Sequence, residues 1–588
     1  MQTSDKQGAV IQYRGTFFRN LVNAHSRVYI QVALLLLAIF TLYAGSLHAP
    51  LVFDDSDFFV NSEAIAKYDH RYFGFGLRWL SYATFNWTLS WFGLDIFWLR
   101  LGNVILHAAN AITLFFLLRR LFHVTLINND ASSVIPSSLD WFAFFGALLF
   151  ALHPISVYGV AYLVERSILM ANLFVLLMLL TYLEGILRGG WHWMLAAVLF
   201  YFAAVFSKEH SIAAPGIALA LTFLIRKPSL ALFRQIAPYY ILSALIAVTL
   251  LLSVKGMLGH AYEPNAVGLL DLSAKKQGLT ELPNAHLLSI LTQAGLFFKY
   301  LWLWLLPNPA WMSVDMREPF AMSFLSWPHT LGLVAFLTYP CFAIWLLFKR
   351  GSMGLLGFAL LFPWILFFTE FSTVRIQEPF VLYRSYLWMP GLFAALPVMF
   401  SWLKPSKICP DETSDTATSH STEPSKENSQ VADYELSRRG FVLLSAIGLL
   451  LIPLTLNRLQ TFSSTLLLWN DAEKLVRDKR NAFGIERIYY NRGTELGQLK
   501  RYEEAIADFS KAISIYPFDF EYGNRATAYY FLGRYREALR DFDRAIALDP
   551  DNANSYYGRA MTYRTLGDFV AAQEDAKKSC SLGLCPPD

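Results

Sequence analysis

Long apolar stretches alternate with short polar ones down to about residue 456, and a span needs about 20 mostly apolar residues. Eleven membrane-spanning helices are predicted: Val28–Leu47, Phe97–Leu118, Leu139–Leu152, Ile168–Leu187, Trp191–Phe206, Ile212–Ile225, Pro238–Val254, Thr330–Phe348, Met353–Phe371, Leu387–Leu403 and Phe441–Leu456. Several are short and take in flanking residues. The further apolar stretch Leu287–Leu306 ends in Tyr300-Leu-Trp-Leu-Trp-Leu-Leu-Pro307. Its Trp and Tyr residues suit the headgroup level, so it is expected to be an interfacial or re-entrant helix. Pro405–Ser437 is rich in Ser, Thr, Glu, Asp and Lys without apolar periodicity and is expected to be a disordered linker.

After the last span the pattern changes to a repeat. Asn491-Arg-Gly, Asn524-Arg-Ala and Gly558-Arg-Ala each open a helix-like run. Tyr502, Tyr535 and Phe569 recur at spacings of 33 and 34, with Ala505, Ala538 and Ala572 in step, and Pro517 and Pro550 end two units. A 34-residue helix-turn-helix with a late Pro resembles the tetratricopeptide repeat. Three units are expected, with a preceding helix over Leu468–Arg487. Such stacks present a concave surface, usually to peptides.

Lys and Arg residues set the orientation. Arg14, Arg19 and Arg27 precede the first span, placing the N-terminus in the cytoplasm. Arg119 and Arg120, Arg188, Arg226 with Lys227 and Arg234, Lys349 with Arg350, and Arg438 with Arg439 then fall in successive inside loops, provided that Leu287–Leu306 does not cross. Ala49–Ile96, Lys255–His286 and the connector Glu370–Tyr386 fall outside, as does everything after Leu456. The expected divisions are a cytoplasmic segment 1–27, a membrane domain 28–403, a linker 404–438, a last span 439–457 and an extracytoplasmic repeat domain 458–588.

Composition agrees with a membrane protein. The chain of 588 residues is 55% hydrophobic and only 16% charged, where a soluble chain carries roughly 25%. The net charge of +4 gives no reason to expect nucleic acid. The first apolar run lacks a small-residue cleavage site and reads as an anchor. Of the four cysteines, Cys341 lies in a span and Cys409 in the linker, while Cys580 and Cys585 are close enough to pair if the tail is extracytoplasmic.

Against this apolar background the ionisable residues on the outside stand out. Asp54 and Asp55 follow the first span, with Asp57 beside them. A carboxylate there can act as general base toward a hydroxyl, and paired acids can also hold a divalent cation. Arg166, Lys208 and Arg384 come from three separate regions of the same face, the convergence expected around a phosphate headgroup. Glu165 with Arg166 and Lys208 with Glu209 also read as local ion pairs. Arg78, His107, His153, His210 and Tyr386 complete the supporting set, and His107, inside a span, reads first as a packing residue.

Several of these residues lie in motifs that resemble the GT-C glycosyltransferases, most closely the TMTC-type protein O-mannosyltransferases with tetratricopeptide tails. The matching stretches run in family order: Phe53-Asp-Asp-Ser, Phe92-Gly-Leu with Asn103-Val-Ile-Leu-His, Ala151-Leu-His-Pro-Ile with Glu165-Arg166-Ser, Ser207-Lys-Glu-His, Leu305-Leu-Pro with Ser313-Val-Asp, and Arg384-Ser-Tyr-Leu-Trp-Met-Pro-Gly391. The resemblance implies an all-α GT-C membrane enzyme of about eleven spans that takes a sugar from a polyprenyl-phosphate carrier, with Asp54-Asp55 serving catalysis. The chain departs from the family at Tyr383, where Glu is common, and at Arg78-Trp79, where Arg-Pro is expected, and its tail is short.

The expected function is transfer of a sugar with inversion to a hydroxyl, Ser or Thr of a protein bound by the tail. The expected setting is a bacterial inner membrane with the tail in the periplasm, or an endoplasmic-reticulum membrane with a lumenal tail. An oligosaccharide ligase or polymerase of surface glycans, and a non-catalytic membrane-anchored scaffold, are the competing readings. The linker and last span separate the repeats from every candidate site residue, so the repeats are expected to choose the acceptor and take no part in the chemistry.

Overall fold

A computed structural model describes residues 26–61, 76–127, 137–256, 258–260, 284–401, 436–479 and 482–585. The described residues are helical, and their one β contact is an isolated bridge between Met316 and Phe380. The membrane half consists of α1 (Ser26–Ser46), α2 (Trp79–Phe92), α3 (Ile96–Leu126), α4 (Ser137–Ala151), α5 (Arg166–Arg188), α6 (Trp191–Ser207), α7 (Ala214–Ile225), α8 (Leu230–Ser253), α9 (Ala285–Leu305), α10 (His329–Lys349), α11 (Gly351–Phe367) and α12 (Arg438–Thr461). Eight described helices are long and apolar enough to cross a membrane, and α9 is among them. At 15 and 17 residues, α4 and α6 are short for a bilayer. The span expected at Leu387–Leu403 is a series of short turns broken at Pro390, with helical pieces at Ser385–Trp388, Pro390–Ala395 and Leu396–Ser401. Pro238, Pro340, Pro363 and Pro453 sit inside helices, which neighbouring helices make tolerable in an apolar bundle.

Polar contacts define two ends of this bundle. At the lower end Arg119 pairs with Asp140 at 2.8 Å, Arg120 with Glu184 at 2.6 Å, and Arg350 donates to the Arg226 carbonyl at 2.9 Å. At the upper end Arg100 ties the Ala49 and Ala161 carbonyls together at 2.8 Å each, and the Gly259 amide donates to the Ser372 carbonyl at 2.9 Å. Helix α9 begins and finishes at the upper end. His286 meets the Phe371 carbonyl at 2.7 Å, while the Trp304 indole donates to Ser385 and its carbonyl lies 3.1 Å from His153. The uninterrupted helix α9 thus has contacts to upper-end residues at both of its ends. Lys349 and Arg350, at the far end of α10, are at the lower end beside Arg226.

Beyond α12 the chain forms α13 (Thr465–Val476) and three helix pairs: α14 (Ile485–Gln498) with α15 (Tyr502–Ile515), α16 (Asp519–Phe531) with α17 (Tyr535–Leu548), and α18 (Ala553–Leu566) with α19 (Phe569–Ser581). Of the preceding helix expected over Leu468–Arg487, the residues up to Val476 belong to α13 and those from Ile485 on to α14. Buried Ala505, Ala538 and Ala572 permit close approach within each pair. A forked ion pair locks each one: Arg492 to Asp508, Arg525 to Asp541 and Arg559 to Asp575, all at 2.7 Å. Cys580 and Cys585 are disulfide-bonded. Apart from its last residues, from Leu436 on, the linker expected at 405–437 lies outside the described residues, as do 1–25, 62–75 and most of Lys255–His286.

Candidate functional site

The acidic pair lies where the chain leaves α1. Phe53 holds φ at +58°, a left-handed conformation that costs a bulky residue energy and is kept only where the surroundings enforce it. The turn Asp54–Ser56 then points its two carboxylates different ways. Asp55 is fully buried and accepts from the amides of Leu163 and Val164 at 3.2 and 3.0 Å, stapling this turn to the segment before α5. Burial pushes its carboxyl up to about 7. The Asp54 side chain is 53% exposed and accepts from the Tyr162 hydroxyl at 2.7 Å. Burial raises its carboxyl too, against the pull of Tyr162 and Arg487.

Beside this turn lies a cavity of 570 Å³ with two unlike sides. One is charged, formed by Arg78, Lys208, Glu209, His210, Arg375 and Arg384; the other is apolar, formed by Leu250, Leu251, Val254, Leu258 and Phe368. Tyr383 lines the cavity and packs against Tyr162 with ring centres 5.9 Å apart, so the Asp54–Tyr162 pair adjoins the cavity wall. Buried acids position the cations. Lys208 reaches Glu165 at 3.1 Å, and Arg78 grips Glu209 through two nitrogens at 3.0 and 2.5 Å. Glu370, fully buried, meets Arg384 at 2.9 Å, Arg375 at 3.2 Å and His210 at 3.1 Å. Arg78 also adopts a positive φ of 58°.

Six of the residues singled out from the sequence thus gather here: Arg78, Lys208, Glu209, His210 and Arg384 at the cavity, with Glu165 behind Lys208. Arg166 does not join them. Its guanidinium is buried against Phe85 and donates to Asn103 at 2.9 Å, the Leu99 carbonyl at 2.8 Å, and Thr84 and Thr88 at 3.3 Å. With these donors directed at α2 and α3, it does not line the cavity. His107 pins α3 between the Tyr386 hydroxyl at 2.7 Å and the Ala151 carbonyl at 3.1 Å, so both of those side chains serve packing. His153 stacks on Trp304 with ring centres 4.2 Å apart and caps the turn after α4 through the Ile155 amide.

Sequence reasoning passed over Glu370, Arg375, Glu378 and Arg487. Glu370 did carry a signal, since an acid at the end of an apolar run seeks a partner. Arg487 carried none. It lies on α14, in the tail, yet its Nη1 donates to Glu378 at 2.8 Å and its Nη2 stands 3.8 Å from Asp54. The repeats are therefore not separated from the candidate site as the chain order implied.

Among the described residues no group of three or more His, Cys, Asp or Glu side chains is arranged to hold a metal ion. Tetratricopeptide repeat models match residues 486–519 and 520–552, and a second tetratricopeptide repeat model matches residues 542–574. The tail is a tetratricopeptide-repeat region. No curated protein matches the chain. The molecule thus joins a polytopic helical membrane region to a repeat region suited to binding protein.

Proposed function

We propose that the membrane domain is a GT-C-type glycosyltransferase that moves a sugar from a polyprenyl-phosphate carrier to a hydroxyl of a protein held by the repeats. The observation that carries this reading is the two-sided cavity. A polyprenyl phosphate is an anion on a long apolar chain, and the cavity offers guanidinium and ammonium groups on one side and leucines of α8 on the other. Lys208, Arg384 and Arg375 hold the phosphate. Glu370 sets the two guanidiniums in place, and Arg78 with Glu209 closes the charged end.

Asp54 is the general base, since it is the exposed member of the acidic pair. It takes the proton from the acceptor hydroxyl as that oxygen bonds to the anomeric carbon. The bond from the anomeric carbon to the phosphate oxygen breaks on the opposite side, which inverts the configuration, and the electron pair leaves with the lipid phosphate. Asp55 keeps the turn in register. The lower end, which gathers Arg119, Arg120, Arg188, Arg226 and Arg350, faces the cytoplasm by the positive-inside rule. The cavity and tail then face outward, in a compartment where the Cys580–Cys585 disulfide persists.

The test is a transfer reaction with the purified full chain, polyprenyl-phosphate sugars and envelope proteins as acceptors, read by intact mass. A single-hexose increment on a Ser or Thr is expected. No mass change with any carrier-linked sugar overturns the reading, and a ladder of increments reassigns the chain to glycan polymerisation.

A further inference from the structure

The tail is fastened onto the upper end at several points. Lys479 reaches Glu318 at 2.6 Å and the Arg317 carbonyl at 2.8 Å. Phe483 packs on Phe320 and Trp469 on Phe53, with ring centres 6.3 and 5.5 Å apart. Gly484, at φ +77°, turns the chain into α14, and its missing side chain leaves room for the Arg317 guanidinium. These contacts suffice to seat the tail. Arg487, one turn into α14, does something more specific. One nitrogen of its fork is anchored on Glu378 and the other is directed at Asp54.

We propose that Arg487 is a positioning residue for the membrane domain's reaction: the first repeat lends a cation that keeps the Asp54 carboxylate ionised and aimed, so that the site is complete only while the tail is seated. The proposal rests on Asp54 being the base. A positive charge within about 4–6 Å favours the ionised carboxylate. Burial raises the Asp54 carboxyl; the Tyr162 hydroxyl and then Arg487 work to keep it ionised, and Glu378 and Asp57 work against them. Glu378 fixes the fork from the far side, so the guanidinium does not neutralise Asp54 through a close forked pair of its own. At 3.8 Å the contact is an electrostatic one, and it leaves the Asp54 oxygens able to receive a proton. The coupling runs both ways: whatever shifts α14 on binding the repeats also shifts the charge beside Asp54.

The test compares the full chain with Arg487→Ala and Arg487→Lys, measuring kcat against pH and the KM for the lipid donor. Removing the cation raises the Asp54 pKa, so the acid limb of the kcat profile moves to higher pH. Arg487→Ala is expected to lower kcat about fivefold on the acid limb, with the donor KM within twofold. Arg487→Lys is expected to bring the limb most of the way back. Hydrogen exchange of α14 reports whether the tail stays seated, and Lys479→Met, which weakens the seating with the Arg487 charge in place, should move the limb only in proportion to the release of α14. An active wild type with an unmoved limb in Arg487→Ala, or an equal shift in Arg487→Ala and Arg487→Lys, overturns the proposal alone. A wild type without transfer overturns the reading of the membrane domain, and this proposal with it.

Discussion

The two ends of the helix bundle both pair arginines with acids, yet they do so differently. At the lower end the acids Asp140 and Glu184 are buried, but the arginines that pair with them reach water. Arg120 and Arg188 share Glu184, with side chains 36% and 61% exposed. At the upper end Glu370 has no exposed surface and serves two guanidiniums and an imidazole, all buried around a cavity. Pairs whose cation is open to water contribute little. Buried clusters cost desolvation and persist where they organise something else. On the proposed reading, charge of the same composition marks sidedness at one end and the donor site at the other.

The contrast breaks most directly at Asp54. Asp54→Asn removes the base, and kcat for transfer is expected to fall by about 10²–10⁴-fold with donor binding intact. Normal turnover in a direct transfer assay would strip the upper end of its chemistry.

Glu370→Gln comes next. It leaves Arg375, Arg384 and His210 without their shared carboxylate, and breaking a buried pair costs about 3–5 kcal/mol. A drop in thermal stability in detergent is expected, with a donor KM at least tenfold higher. A stability loss without a KM change would mean that the cluster only packs.

Asp55 sharpens the comparison through pH. Its carboxyl is raised in the folded state, so the fold binds a proton there that the unfolded chain has released. Its contribution is full below the unfolded value near 4 and is lost as pH rises through about 7. Melting temperature should therefore fall between pH 5 and pH 8, and Asp55→Asn should flatten that slope. The smallest effect is at the lower end. Arg188→Ala should change stability by less than about 0.5 kcal/mol, since Arg120 still covers Glu184, and transfer should be unaffected.

Much of this architecture is written locally and could be read from the chain. Apolar runs mark the bundle, Lys and Arg group its lower end, and Tyr502, Tyr535 and Phe569 mark the repeats. The expectation that α9 does not cross rests on charge, because only that arrangement gathers Lys349 with Arg226 on one side. What escaped is set by direction and by distance along the chain. Arg166 sits in a promising motif, but its rotamer turns it into the α2–α3 groove, and no spacing rule reports a rotamer. Glu370 was treated as part of a connector because its partners Arg384 and His210 come from different elements. The Arg487–Asp54 contact joins the start of the membrane domain to the tail, and a linear reading placed them apart.

The three repeats are locked by the same Arg–Asp fork, but among the described residues the side-chain contacts to the bundle come from α13, the turn after it and α14. On the proposed reading, α16 to α19 can then be exchanged or added to without redesigning the catalytic end. Specificity built this way would be modular: a new client would be accommodated by rewriting α16 to α19, with α14 held fixed as the proposed coupling between recognition and reaction.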